Sequence, residues 1–275
     1  MMDTPLTLDF FFRRAESLFP HKELVTATAT GIERSNYGQW AERTRHLGGA
    51  LADLGVSEYG RVGTFAWNTA RHLELYFAVP CTNRVLHTLN IRLFADQIVY
   101  IANHAEDEVI FVDRSLMALL WPLVDQLETV RHLIVMDDGD GEVPDDPRVL
   151  DYEELLSSAS PVNFEVKDEK QAASMCYTSG TTGNPKGVVY SHRSTYMHTI
   201  TTMTADGLGV CESDVILPVV PMFHVNSWGL QHAAVAAGAT LVNPGPKLQP
   251  EPNLITTCLP WSQIYFVSLK FHISF

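Results

Sequence analysis

The chain has 275 residues, of which 46% are hydrophobic and 19% are charged, a balance typical of a globular protein. Its formal net charge of -13 repels nucleic acid and anionic lipid, so neither is expected as a partner. The four cysteines lack a C-x-x-C spacing and are too few for a disulfide framework. They predict buried thiols in a reducing compartment and therefore a cytoplasmic protein, with peripheral membrane association left open.

Helical and strand-like periodicities alternate along the first half of the chain. The pattern predicts a helix whose apolar face runs from Trp40 to Leu54 and stops at Gly55, and a later helix capped by Asn68. Further helices are predicted over Ala95–Ala105 and 116–127, and strands over 61–66, 108–112 and His132–Met136. Repeated strand–helix–strand units with short connections predict a layered α/β fold with a largely parallel sheet.

Three segments interrupt or follow this alternation. The acidic run 137–146 predicts a solvated surface loop, and the polar stretch 157–170 predicts a connector between two lobes of the domain. Residues 215–242 are strongly apolar but contain prolines, a histidine and amides. A buried strand–turn–helix is therefore predicted there rather than a membrane span.

The strongest chemical signal is a loop between two apolar strands, predicted over 172–177 and 188–191. Residues 177–189 read YTSGTTGNPKGVV. The glycines let the backbone bend and expose N–H groups, the threonines and the serine supply hydroxyls, and Lys186 supplies a positive charge. A donor-rich loop of this kind predicts a triphosphate site.

This loop is not a Walker A loop, although the spacing is close. Gly180 and Lys186 are correctly separated, but Pro185 stands where the second glycine should be. Gly187 replaces the Ser or Thr that would hold magnesium. Kinase or GTPase chemistry on a P-loop fold is therefore a poor match.

Residues 177–188 resemble the AMP-binding signature of the adenylate-forming superfamily, which includes acyl-CoA synthetases, luciferases and adenylation domains. Residues 217–228, LPVVPMFHVNSW, resemble the next motif of that superfamily in the form found in medium- and long-chain fatty acyl-CoA synthetases. Residues 86–93, LHTLNIRL, also resemble that branch. The resemblance extends from about residue 6 to residue 252 and implies the layered α/β N-terminal domain of the acyl-CoA synthetase type.

The resemblance implies a two-step reaction with ATP, Mg²⁺ and coenzyme A. A fatty carboxylate attacks the α-phosphate of ATP and releases pyrophosphate, which leaves an acyl-adenylate. The thiol of coenzyme A then displaces AMP to give the thioester. Charge that builds up in the first step is expected to be stabilised by magnesium and by the donors of the loop.

The same resemblance implies roles for individual residues. Lys186 and His224 are the implied catalytic residues, and Thr178 is the implied magnesium ligand. The implied phosphate-binding residues are Thr178, Ser179, Gly180, Thr181, Thr182, Gly183 and Lys186. Val225 and Trp228 match residues that border the nucleotide and the acyl tunnel, with the tryptophan as a gate. Without the resemblance, His224 and Trp228 could be core residues and Lys186 a surface lysine.

The later motifs of the superfamily are not found in the sequence. There is no Tyr-Gly-x-Thr-Glu segment, and the small C-terminal domain has no counterpart. We therefore expect residues 1–252 to form a partial AMP-binding N-terminal domain. Residues 253–275 resemble nothing in the family and are predicted to be an anomalous, poorly packed tail.

Two alternatives remain at this stage. The chain could be a non-catalytic remnant that binds nucleotide or dimerises, since relatives of this branch pair through their N-terminal domains and a homodimer is conceivable. It could also belong to a ligase for an aryl or other carboxylic acid, although the form of the 217–228 motif argues against that.

Overall fold

The computed structural model describes residues 3–178 and 184–246. These residues form two β-sheets with helices packed against them. The strands are β1 (Glu23–Ala27), β2 (Ile32–Asn36), β3 (Arg61–Phe65), β4 (Val85–Thr88), β5 (Asp107–Asp113), β6 (His132–Met136), β7 (Val149–Asp151), β8 (Ala172–Thr178), β9 (Lys186–Ser191), β10 (Val215–Ile216) and β11 (Thr240–Asn243). The α-helices are α1 (Leu8–Leu18), α2 (Tyr37–Asp53), α3 (Ala70–Cys81), α4 (Ala95–Ala105), α5 (Met117–Leu120), α6 (Tyr152–Ser158), α7 (His192–Met203) and α8 (Leu230–Ala237).

The larger sheet has seven strands in the order β7-β6-β5-β3-β4-β8-β9. All neighbouring pairs from β7 to β8 are parallel, and only the last pair, β8 with β9, is antiparallel. The predicted α/β fold with a largely parallel sheet is therefore confirmed. Parallel strands need crossover connections, and the helices that supply them cover both faces of this sheet.

The smaller sheet has four strands in the order β10-β11-β1-β2. It joins the start of the described chain to its end, since β1 pairs in parallel with β11. The largest apolar cluster includes side chains from α1, α2, α3 and α8, and a second cluster includes side chains from α4, α5 and the neighbouring strands.

Several helix and strand boundaries agree with those predicted from the sequence periodicity, and two helices differ from the prediction. α4 and β6 have the predicted bounds, and Gly55 follows α2 with a positive φ of 65°. Thr69, not Asn68, caps α3, because its side chain accepts the N–H of His72. The helix predicted over 116–127 is only partly α-helical: α5 is flanked by 3₁₀ turns at Arg114–Leu116 and Trp121–Gln126.

One residue of the acidic loop and one cysteine differ in burial from what the sequence predicts. Most of 137–146 is exposed, but Asp138 is buried and accepts hydrogen bonds from the N–H and hydroxyl of Ser115. Cys211 is exposed, unlike the buried Cys81 and Cys176, because it lies in the loop before β10.

The segment predicted as a connector joins α6 to β8. Both β7 and β8 belong to the seven-stranded sheet, so the segment runs from one part of that sheet to another. Residues 215–242 contain β10, a turn, α8 and most of β11, as the strand–turn–helix prediction required. Among the described residues, no helix combines the length and the apolar character that a bilayer crossing requires.

Candidate active site

The hairpin of β8 and β9 carries the ends of the predicted phosphate loop. Thr178 is paired with Lys186 across the hairpin, and both residues are exposed. The hydroxyl of Thr178 is 3.5 Å from the carbonyl oxygen of Lys186, the long limit for a hydrogen bond, so it is available to another partner. Of the seven residues between these ends, five lie outside the described part of the chain: Ser179, Gly180, Thr181, Thr182 and Gly183.

Tyr177 holds the base of this hairpin in place. Its hydroxyl lies 2.6 Å from Nδ1 of His104 on α4, and its ring centre is 5.2 Å from that of His87 on β4. Gly187 faces it across the hairpin, where a Cβ would lie 3.2 Å from the Tyr177 ring. Burial, and to a smaller extent the charge of Asp107, raise the pKa of Tyr177 to about 12, so the hydroxyl keeps its proton.

A buried His–Asp pair lies beneath Tyr177. Nδ1 of His87 is 2.8 Å from a carboxylate oxygen of Asp107, and neither side chain is exposed. The two residues are on strands separated by β3, and they meet across Gly63, where a Cβ would lie 3.2 Å from that carboxylate. Burial raises the pKa of Asp107 above its ordinary value, and the contact with His87 offsets only part of that rise.

A second component of the site is a left-handed turn at Val225–Gly229. Its φ angles are 46° at Val225, 48° at Asn226, 53° at Ser227, 53° at Trp228 and 71° at Gly229. A β-branched residue with a positive φ is a genuine outlier, and each non-glycine residue in this conformation costs about 1–2 kcal/mol. Strain of this kind persists only where surrounding contacts enforce it.

Four hydrogen bonds hold this turn in place, and the two that Asn226 makes to the sheet are buried. The Asn226 amide accepts from the hydroxyl of Thr88 on β4 at 3.0 Å and donates to the hydroxyl of Ser174 on β8 at 2.9 Å. The Ser227 hydroxyl donates to the carbonyl of Val220. Nε2 of His198 on α7 donates to the carbonyl of Trp228 at 2.9 Å. The turn is thus bonded to β4 and to β8, the strand that leads into the predicted phosphate loop.

Asn68 anchors the segment that leads into the turn. Its amide donates to the carbonyls of Pro218 and Val220 and accepts the N–H of Met222 at 2.6 Å. Asn68 follows β3 at the carboxyl edge of the parallel sheet, where ligands of such folds bind. Sequence reasoning assigned this residue to helix capping and missed its contact with residues some 150 positions away.

A cavity of about 720 Å³ lies beside the left-handed turn, between α7 and α8. Many of its lining residues are polar by type, but their oxygens are turned away from it. On α7 the hydroxyls of Thr195, Thr201 and Thr202 each donate to the carbonyl four residues earlier. Carbon atoms therefore make up most of the surface that the cavity presents, which suits an apolar ligand.

The family assignment agrees with this geometry. Residues 12–263 match the model of a family described as AMP-binding enzyme. The chain belongs to the AMP-binding enzyme family. The matched region extends into the segment after residue 252 that was predicted to be an anomalous tail.

Relatives within the family are acid–CoA ligases by name. The chain is 47% identical to a long-chain-fatty-acid–CoA ligase from Thermus thermophilus over 91% of its own length and 45% of that protein. It is 42% identical to a 3-methylmercaptopropionyl-CoA ligase from Ruegeria lacuscaerulensis over 94% of its own length and 49% of that protein. The chain thus spans about half the length of the curated relatives it matches.

A solved structure shows the same fold. A long-chain-fatty-acid-CoA ligase from Archaeoglobus fulgidus superposes with a TM-score of 0.78 at 23% sequence identity. The superposition covers 93% of this chain and 50% of that one. The N-terminal α/β fold predicted from the sequence motifs is therefore shared with an acyl-CoA ligase.

The predicted site residues of this AMP-binding chain fall into two groups. Thr178 and Lys186 lie together at the base of the phosphate loop. Val225 and Trp228 line the cavity, and His224 immediately precedes the turn. His224 is exposed and Trp228 is 37% exposed, so the alternative of plain core residues is wrong for both.

Proposed function

We propose that this chain forms the phosphate-binding and acyl-binding part of an AMP-forming fatty acid–CoA ligase. The observation that carries the proposal is the hydrogen-bonded connection between the turn at the apolar cavity and β8, the strand that leads into the predicted phosphate loop. The Val225–Gly229 turn borders the cavity and is hydrogen-bonded through Asn226 to β8, the strand that ends at Thr178. A fatty acid in the cavity and a nucleotide on the loop would therefore meet at this turn.

The proposed reaction joins the two ligands in two steps. The carboxylate oxygen of the fatty acid forms a bond to the α-phosphorus of ATP, and the bond to pyrophosphate breaks. The sulfur of coenzyme A then bonds to the acyl carbon of the adenylate, AMP leaves with its electron pair, and the thiol proton is released. The names of both relatives, a fatty acid ligase and a methylmercaptopropionyl-CoA ligase, support this reaction class.

Each predicted site residue has a task in this proposal. The exposed ammonium of Lys186 would neutralise phosphate charge, and Ser179, Gly180, Thr181, Thr182 and Gly183 would donate to the β- and γ-phosphates. Trp228 and Val225 would contact the acyl chain near its carboxylate, with Trp228 as a gate and His224 at the approach to the nucleotide.

The residues present fit a magnesium ion that arrives with the nucleotide. Thr178 offers one exposed hydroxyl oxygen, and Mg²⁺ commonly takes one or two protein ligands together with water and substrate phosphates. No group of three His, Cys, Asp or Glu side chains arranged for a metal occurs within residues 3–178 and 184–246. When bound, the ion would neutralise charge on the phosphates, and Thr178 would orient it from the protein side.

Nucleotide binding by the 275-residue chain tests the loop assignment. The assay is a titration of the chain with a fluorescent ATP analogue in the presence of Mg²⁺. Lys186→Ala should weaken the affinity for this analogue about 10-fold or more, because a charged hydrogen bond contributes about 1.5–3 kcal/mol. Lys167→Ala is the matched control, because Lys167 is also an exposed lysine and it precedes β8, whereas the loop follows that strand. Equal affinities for the two variants would contradict the role of Lys186.

Exchange of labelled pyrophosphate into ATP tests the chemistry and separates the alternatives. Exchange that depends on added fatty acid would support adenylation by this chain. Nucleotide binding without exchange would favour a non-catalytic remnant. Exchange that depends on an added aryl acid instead of a fatty acid would indicate a ligase for aryl acids.

Domain limits, assembly and location complete the proposal. Residues 1–252 would form the partial AMP-binding domain, and residues 253–275 the anomalous tail. A homodimer through this domain is proposed from the family resemblance, and a cytoplasmic location is proposed from the sparse cysteines of the sequence. Sedimentation of the purified chain measures the assembly, and limited proteolysis that left the tail intact would count against its separation from the domain.

A further inference from the structure

The last turn of helix α4 lies against the hairpin of β8 and β9. His104 in that turn meets the Tyr177 ring edge to face, and its Nδ1 lies 2.6 Å from the Tyr177 hydroxyl. The His104 ring also stacks on Tyr100 of the same helix, with ring centroids 5.3 Å apart. Since the Tyr177 hydroxyl keeps its proton, it can donate to Nδ1 of His104.

The end of α4 is anchored on both sides of His104. The Asn103 side chain donates to the carbonyl of Gln126 at 2.8 Å. The Arg61 guanidinium, at the start of β3, donates to the carbonyl of Ala105. Because its two neighbours in the chain are bonded to other elements, His104 has a fixed support from which to hold Tyr177.

The hairpin has fewer contacts with the sheet from Tyr177 onward. The last residue of β8 that pairs with β4 is Cys176, so Tyr177 and Thr178 have no β4 partner among the described residues. The end of the hairpin therefore extends past the neighbouring strand. The hydrogen bond from Tyr177 to α4 restrains this end of the hairpin from another direction.

The residues beyond Tyr177 are the ones that the proposed function assigns to phosphate and magnesium. Thr178 pairs with Lys186 one step further along the hairpin than Tyr177. A binding site needs its groups held within about 0.5 Å of their productive positions by contacts behind them. A shift of Tyr177 would move both Thr178 and Lys186, since the three residues share one hairpin.

We infer that His104 is a positioning residue of the phosphate site, and that it acts through the Tyr177 hydroxyl on Thr178 and Lys186. The inference rests on the proposed function, since it takes this pair to bind phosphate and magnesium. Loss of the hydrogen bond should therefore weaken the binding of phosphate groups.

Two ligands test the inference on the full 275-residue chain in the presence of Mg²⁺. One is a fluorescent ATP analogue, and the other is tripolyphosphate, which displaces the analogue and carries phosphate groups without adenosine. Tyr177→Phe and His104→Phe each remove one side of the hydrogen bond and keep an aromatic ring in place. Each variant should weaken the affinity for both ligands about 3- to 10-fold, the range that one net hydrogen bond supplies.

Three further variants separate positioning from general stability. The double variant of Tyr177→Phe with His104→Phe should weaken binding no more than either change alone, because both remove the same bond. His104→Asn keeps an acceptor oxygen close to the position of Nδ1 and should restore the affinity to within about 2-fold of the wild type. His46→Phe is the matched control and should leave both affinities unchanged. Nδ1 of His46 also bonds within the protein at 2.8 Å, but to the carbonyl of Ala159, where it joins α2 to the end of α6.

The outcomes separate this inference from the function on which it rests. If His104→Phe binds both ligands as the wild type does while Lys186→Ala does not, the role of His104 is overturned and the phosphate site stands. Losses that add in the double variant would show that His104 does not act through Tyr177, and a His104→Asn variant as weak as His104→Phe would also contradict the inference. If the chain binds neither ligand, the phosphate site and the inference fail together.

Discussion

The hydrogen bonds of Asn226 give the sharpest test of how the left-handed turn is maintained. Asn226→Gly removes the amide but keeps a residue that tolerates a φ of 48°. Asn226→Ala removes the same amide and adds the strain of a Cβ in the left-handed region. The difference between the two variants therefore isolates the backbone contribution.

The magnitudes follow from the contacts. Asn226 makes one hydrogen bond to Thr88 and one to Ser174, both buried, and each contributes about 1 kcal/mol net. Because both hydroxyls lose this partner in a buried setting, Asn226→Gly should lower the free energy of unfolding by about 2–3 kcal/mol. Asn226→Ala should lower it by about 1 kcal/mol more.

Urea unfolding followed by circular dichroism measures both variants, and a double-mutant cycle with Ser174→Ala isolates one bond. We expect a coupling energy of about 1 kcal/mol between Asn226 and Ser174. A stability of Asn226→Gly within about 0.5 kcal/mol of the wild type would show that the buried bonds do not hold the turn. Equal stabilities of the Gly and Ala variants would refute the left-handed backbone.

Two further predictions concern other buried contacts. Burial, and then the nearby carboxylate of Asp138, raise the pKa of Asp113 well above its ordinary value. The folded state therefore binds this proton more tightly than the unfolded state does. The stability that protonated Asp113 contributes is lost as the pH rises through its folded-state pKa. Asp113→Asn should therefore become more stable relative to the wild type between pH 5 and pH 8 in urea unfolding, and a constant difference would contradict this. Gly229→Ala would bring a Cβ within 2.5 Å of the His198 ring at a φ of 71°. Gly209 is the matched control, because its φ is 65° and no atom lies within 4 Å of a Cβ added there. Gly229→Ala should therefore lower the free energy of unfolding by about 1–2 kcal/mol more than Gly209→Ala does.

Much of the α/β alternation was predictable because it depends on local pattern. The helix Ala95–Ala105 has a clear apolar face, and the strand His132–Met136 is a short apolar run. The helix predicted over 116–127 was interrupted because Pro122 has no N–H to continue an α-helix, so a 3₁₀ segment begins at Trp121.

The helix α7 shows why the cavity could not be predicted from residue types. Its sequence, HRSTYMHTITTM, has no marked apolar stripe, so periodicity predicts no helix there. The threonine hydroxyls bond to carbonyls of their own helix, so the face they present is made of methyl groups. Whether a threonine acts as a polar or an apolar residue depends on where its hydroxyl points, which the sequence alone does not specify.

The left-handed turn depends even more strongly on distant contacts. Four non-glycine residues from Val225 to Trp228 have positive φ, which costs about 4–8 kcal/mol in total. Seven hydrogen bonds from Asn68, Asn226, Ser227 and His198 hold the turn and the segment before it, and at about 1 kcal/mol each they are of comparable size. Because most of these bonds come from β-strand ends or from other helices, the conformation is a property of the assembled fold. The motif identifies the residues of the turn, and the sheet gives them the geometry that borders the cavity.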